Sequence, residues 1–145
     1  MGWAPELEWE GEVEGASVQE VGVLGEQIAV EYLEARGWEI LDRNVRWREG
    51  ELDVVASRWE ELWGEPVLRV IFVEVKTRRR GGRYAPQDNI TPKKQRTVAR
   101  LAGMWARRRD LGRCAQRLDV IAVVLGEEAP QVVHYEGAFD ALGRR

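Results

Sequence analysis

Apolar positions along the chain keep two different rhythms. Within residues 17–36, Val21, Leu24, Ile28, Tyr32 and Ala35 return every three or four places, the spacing of one buried helical stripe. Ser17 stands where an N-cap belongs, Glu20 completes a capping box and Gly37 ends the helix. The rhythm then shortens to two. Residues 38–47 read as a first strand interrupted near Asn44, residues 51–56 as a short second strand and residues 67–77 as a third. Residues 57–66 hold Gly64 and Pro66 and are expected to connect the last two. Residues 78–89, with Gly81-Gly82, read as a mobile surface loop. Thr91-Pro92 opens a second helix, Thr capping and Pro in the first turn, which runs to about Arg109. Residues 118–125 and 132–135 supply the fourth and fifth strands. Residues 1–16 read as a flexible acidic leader and residues 141–145 as a tail, leaving 17–140 as the domain. Helix, three strands, helix, two strands predicts an α/β domain of three layers, one mixed central sheet flanked by helices.

At 145 residues, 44% of them apolar, the chain suits a single packed domain and is too apolar for wholesale disorder. Its longest apolar run, residues 120–125, is far short of the ~20 residues a membrane span needs. The acidic leader does not read as a secretory signal, and a cytoplasmic location is expected. A lone Cys114 and a lone His134 exclude a disulfide framework and a Cys/His zinc site, and both are given structural readings. The net charge of −3 conceals a separation. Residues 1–65 hold 17 acids and 5 bases, whereas residues 66–117 hold 3 acids and 15 bases. The basic region is either a phosphate-binding face or simply the counterpart that neutralises the acidic one across the fold.

Strand alternation puts Glu74 and Lys76 on one face of the third strand and Val73 and Val75 on the other. It groups Glu51, Asp53 and Val55 on one face of the second strand, with Leu52 and Val54 opposite. A hairpin of the two brings Asp53 toward Glu74 and Lys76; a plain solvated face is the competing reading. Two helical residues add weight. Glu26 falls among Gly22, Ala29, Val30 and Leu33 rather than with the wet face of Gln27, Glu31 and Glu34. Lys94 continues the apolar stripe of Val98, Leu101 and Trp105, while Lys93, Arg96, Arg100 and Arg107 form a separate basic stripe. Charges at core-facing edges are costly unless something meets them; here that is either a site or an ion pair between Glu26 and a snorkelling Lys94. If Glu26, Asp53 and Glu74 converge on Lys76, carboxylates ~5 Å apart repel by roughly 3 kcal/mol at an effective dielectric of ~20. Either a proton or a divalent cation relieves that, and an all-oxygen pocket suits Mg²⁺ or Mn²⁺. Carboxylates, a metal and one lysine beside a basic surface are the parts of phosphodiester hydrolysis.

The runs Gly-Glu-Leu-Asp (50–53), Phe-Val-Glu-Val-Lys-Thr-Arg (72–78), Ile-Thr-Pro-Lys-Lys-Gln-Arg (90–96) and Arg-Leu-Asp-Val-Ile-Ala-Val (117–123) follow in an order that closely resembles the YraN-like family. So does the opening Gly-Xaa-Xaa-Gly-Glu-Gln-Xaa-Ala-Xaa-Xaa-Tyr-Leu (22–33), and the likeness covers residues 20–140. That uncharacterised bacterial group is similar to the PD-(D/E)xK nucleases, with archaeal Holliday-junction resolvases as relatives by fold. The resemblance implies a restriction-endonuclease-like fold with an αβββαβ core. It also implies that Glu26, Asp53, Glu74 and Lys76 hold the metal and catalytic positions, with the main-chain carbonyl of Val75 as a further metal ligand. Lys94 and Gln95 match a second-helix motif that faces the site in related nucleases. One departure is Leu52, where the superfamily carries a proline before the aspartate.

DNA is therefore the expected partner, including branched recombination or repair intermediates, with RNA an alternative and no membrane involved. A catalytically silent nucleic-acid-binding module of the same fold is the competing class, and an ordinary interaction domain with core-edge ion pairs is a third. Arg78, Arg79, Arg80, Arg83 and Tyr84 around the Gly pair suit a nucleic-acid backbone and base stacking, joined by Lys93, Gln95, Arg96 and Arg100. Glu51 reads as a solvated or hairpin-capping residue or as an auxiliary ligand, and Asp119 as a strand-end or salt-bridging one. Trp59 and Trp63 read as a small lid or a contact surface for a second subunit; a homodimer is expected from the resolvase-like relatives.

Overall fold

Both helices begin at the residues whose side chains can cap them. In the computed structural model, which describes residues 17–80, 90–126 and 128–139, Ser17 caps α1 (Val18–Ala35). Its hydroxyl accepts from the Glu20 amide at 3.1 Å, and Glu20 accepts from the Ser17 amide at 3.4 Å. Thr91 caps α2 (Pro92–Arg108) through the Lys94 amide at 3.1 Å. The leader, residues 81–89 and residues 140–145 lie outside the described residues. The strands are β1 (Glu39–Trp47), β2 (Gly50–Leu62), β3 (Glu65–Arg79), β4 (Ala115–Leu125) and β5 (Gln131–Tyr135), side by side in sequence order. β3 and β4 pair in parallel and the other neighbours antiparallel, so α2 is the crossover that a parallel pair requires.

The sheet divides the core into two apolar layers. On one face Ile28 and Leu33 of α1 pack with Val54, Ala56, Ile71, Val73 and Val123. On the other Leu101 and Trp105 of α2 pack with Leu52, Val55, Phe72 and Val120. This is the three-layer α/β arrangement, a mixed sheet between helices, that fits a restriction-endonuclease-like fold. No helix among the described residues is long and apolar enough to cross a membrane. Gly25 marks the closest approach of α1 to the sheet: a Cβ built there lies 2.7 Å from Thr77 Cβ. Helix propensity favours alanine over glycine by ~1 kcal/mol, but this overlap is with the root of a side chain on β3 and outweighs it. Gly25→Ala is expected to destabilise by about 1–3 kcal/mol, read as a lower urea midpoint, with Thr77→Gly in the same chain recovering most of the loss.

Two features differ from the strand pattern in the sequence. Residues 57–66 are not a connection. β2 and β3 run on as one hairpin to Leu62↔Glu65, turning at Trp63 and Gly64, both with positive φ. Cross-strand pairing of Trp59 with Leu68, and Glu60 bridged to Arg58 at 3.3 Å and Arg69 at 3.1 Å, hold it as strand. Second, Leu52 and Val54 do not share a face: Leu52 packs in the α2 layer and Val54 in the α1 layer. The alternation breaks at Asp53. It breaks where β1 carries Asn44 in the left-handed region, φ 51°, between the pairs Arg43↔Val54 and Val45↔Leu52.

Candidate active site

That break opens the sheet. β2 leaves β3 beyond Val54↔Val73, whereas β4 stays paired with β3 to Arg79↔Leu125. The Val75 amide, without a β2 partner in the ladder, donates to Asp53 Oδ2 at 2.8 Å. A cleft of ≈ 840 Å³ lies over the parting, and Glu26, Asp53, Glu74, Lys76 and Lys94 all line it. The five come from α1, β2, β3 and α2, so only the folded chain assembles them.

Glu74 is 5% exposed, and two ammonium groups meet it: Lys94 Nζ at 2.6 Å and Lys76 Nζ at 3.4 Å, both from Oε1. Burial works to lower the Lys94 pKa, but the charge and hydrogen bond of Glu74 outweigh it and hold it above its usual value. Among the described residues no cation comes within ion-pair distance of Asp53, although its charge is felt by Lys94. Burial first, and the Glu74 charge second, push the Asp53 pKa from 3.8 up to about 8 against the pull of the Val75 amide. Glu26 sits apart, with Arg43 Nε 3.7 Å from Oε1 and no hydrogen-bond partner at that buried oxygen among the described residues. Burial raises its pKa more than the Arg43 charge and the Asn44 side chain lower it. The three acids thus share one cleft without closing on one point. Among the described residues no three Asp, Glu, His or Cys side chains form a ready-made ion cage.

A divalent cation still fits the chemistry of this donor set. Asp53 and Glu74 are adjacent oxygen donors with an electrostatic deficit that the lysines leave at Asp53, and the orphaned Glu26 oxygen points to the same shortage. Lys94 takes up one Glu74 oxygen, so an entering cation competes with its ammonium.

Arg78, Arg79 and Arg80 line the cleft, and Lys93, Arg96 and Arg100 are exposed on α2. Gln95 departs from that group: it is buried, and its Nε2 donates to the Ile90 carbonyl at 3.0 Å, tying down the residue before the helix cap. Arg83 and Tyr84 lie outside the described residues. Glu51 lines the cleft but is held by Arg46 at 3.2 Å. Arg43, Asn44 and Arg46 belong to the cleft wall and went unmarked in the sequence. The only signal was the interruption at Asn44, whose side chain turns out to bond Glu26. Trp59 and Trp63 are not among the cleft-lining residues, so they are not its lid.

A model of the family described as "Uncharacterised protein family UPF0102" matches residues 25–123. A UPF0102 protein of Mycobacterium marinum (strain ATCC BAA-535 / M) is 46% identical over 120 residues, 81% of this chain and 93% of the relative. One from Mycobacterium sp. (strain KMS) is 43% identical over 119 residues, 81% and 83% of the two chains. One from Geobacter sulfurreducens is 41% identical over 121 residues, 83% and 88% of the two chains.

Proposed function

The chain belongs to the uncharacterised protein family UPF0102, and from its cleft we propose a divalent-metal-dependent nuclease that hydrolyses phosphodiester bonds in DNA. The carrying observation is Asp53, a buried acid with no ion pair among the described residues, beside Glu74 at an open mouth rimmed by arginines. Asp53 and Glu74, with the main-chain carbonyl of Val75 and with Glu26 at the cleft wall, would hold Mg²⁺ or Mn²⁺. When bound, the ion supplies Lewis acidity, polarising a phosphate oxygen and acidifying water. Lys76, 21% exposed on the face of Glu74, orients water and stabilises negative charge developing on the phosphate. Lys94, if freed from Glu74, would meet a phosphate oxygen. Arg78, Arg79, Arg80 and the outer face of α2 hold the backbone.

A silent nucleic-acid-binding module is the second reading. It is favoured by Lys94 Nζ at 2.6 Å from Glu74, which answers that charge with no ion present. A panel of labelled duplex, single-stranded and four-way DNA and RNA, with Mg²⁺ or Mn²⁺, separates the two. The nuclease cleaves at least one substrate, and Lys76→Ala slows cleavage by about 10²–10⁴-fold while binding changes by less than about threefold. Salt-sensitive binding without cleavage in either metal establishes the module instead.

A further inference from the structure

Far from the cleft, the β2–β3 hairpin outruns its neighbours. β1 stops pairing at Glu39↔Ser57 and β4 begins at Ala115↔Arg69, so residues 58–68 continue as a two-stranded arm with neither edge paired to a strand among the described residues. A bare two-stranded ribbon is marginal in water. Its two faces differ. Arg58, Glu60 and Arg69 make an ion-paired face that leans on Trp38 of the α1 layer, with the Arg58 guanidinium 4.1 Å from the ring centroid. The opposite face carries Trp59, Pro66 and Leu68, and Leu68 joins the α2-layer core. Trp59 is 69% exposed and Trp63, at the turn, 100%. Two indoles left this bare at one end of a chain are an unfinished contact rather than scattered surface.

The charges at the same end say what finishes it. Glu61 and Glu65 on the arm are exposed, and no ion pair to either is found among the described residues. α2 starts beside Glu74 and runs back against β3, so its C-terminal end arrives where β4 begins, at the base of the arm. There Arg107, Arg108 and Arg113 are exposed and likewise have no ion pair among the described residues. One pole therefore carries an acidic, tryptophan-bearing arm and an arginine-rich end that do not satisfy each other within one chain. We propose that the arm docks on a second copy of this chain. Trp59 and Trp63 pack against the partner's α2 end, Glu61 and Glu65 meet its arginines, and the two-fold operation repeats the contact. Such self-complementarity is what an isologous dimer requires. Four tryptophans, each burying ~150–250 Å², supply the greater part of a ~1,200 Å² interface. Neither indole lines the cleft, and the nine residue steps of strand from Glu65 to Glu74 set the turn roughly 30 Å from Glu74.

Sedimentation velocity over a concentration series tests this on the full chain. The wild type is expected to dimerise, more weakly at high salt. Trp59→Ala with Trp63→Ala is expected to raise the dissociation constant about 100-fold or more, with circular dichroism checking the fold. Glu61→Arg with Glu65→Arg disrupts the dimer, and adding Arg107→Glu, Arg108→Glu and Arg113→Glu to that variant restores it. A monomeric wild type at all concentrations overturns the proposal. So does a dimer indifferent to the tryptophans, or a charge reversal that the compensating reversal does not rescue.

Discussion

Asp53→Asn is expected to lower cleavage by about 10³-fold or more while making the metal-free protein more stable. Both effects have the same origin. The Asp53 carboxyl is buried, and Glu74 opposes its charge, which is why its pKa stands at about 8 rather than 3.8. Between those two values the folded chain holds a proton that the unfolded chain has released. This group's contribution to stability therefore falls as pH rises through the window and levels off above it. Asparagine has no proton to lose, keeps an oxygen to accept the Val75 amide, and turns an amide rather than a charge toward Glu74. At pH 8–9 the variant should gain about 1–2 kcal/mol, a rise in Tm of roughly 3–6 °C. Added Mn²⁺ should raise the Tm of the wild type and leave the variant unmoved. Cleavage that survives in Asp53→Asn sinks the proposed chemistry. A variant less stable than the wild type at pH 8 sinks the account of the charge.

Asp119→Ala carries the largest expected loss of stability, and it lies outside the cleft. The residue is fully buried at the start of the apolar part of β4. Its carboxylate accepts from Arg117 at 2.8 and 3.0 Å, from His134 Nε2 at 2.7 Å and from the Gly137 amide at 2.9 Å. Because Nε2 donates there, Nδ1 is the nitrogen that faces the Tyr32 hydroxyl at 3.4 Å. One carboxylate thus joins α1, β4 and β5. Burial works to raise its pKa, but His134, Arg117 and Gly137 together bring it below 3.8. Its contribution is therefore full above the ordinary value and disappears as pH falls through the lower, folded one. Alanine removes the buried acceptor of both Arg117 and His134, leaving Arg117 only the exposed Glu136 at 3.8 Å, at a cost of about 3–5 kcal/mol, or roughly 10 °C in Tm at neutral pH. The acid limb of the stability curve should flatten as well. A loss below about 1 kcal/mol, or an unchanged acid limb, refutes this role.

What could be read from the chain alone follows from how local each cause is. Capping needs only Ser17 and Glu20, or Thr91 and Pro92, so both helix starts were legible. Glu26 and Lys94 drew notice because each interrupts an apolar helical stripe, and both line the cleft. The arm reads as a connection in the sequence because Gly64 and Pro66 signal a turn, whereas the cross-strand pairing that keeps residues 57–66 extended leaves no local signal. Asp53 was placed on the right strand, but strict alternation grouped Leu52 with Val54. A left-handed Asn44 on the neighbouring strand is what separates them.

β3 carries Trp-bearing hairpin at its beginning and Glu74 near its end. A stretch of roughly 30 Å is nearly four Debye lengths, on the order of 8 Å each, at physiological salt, so exposed charges at the two extremities do not feel each other. Substitutions at the two should combine additively. Selection is then free to retune the proposed association at one extremity without detuning the proposed turnover at the other.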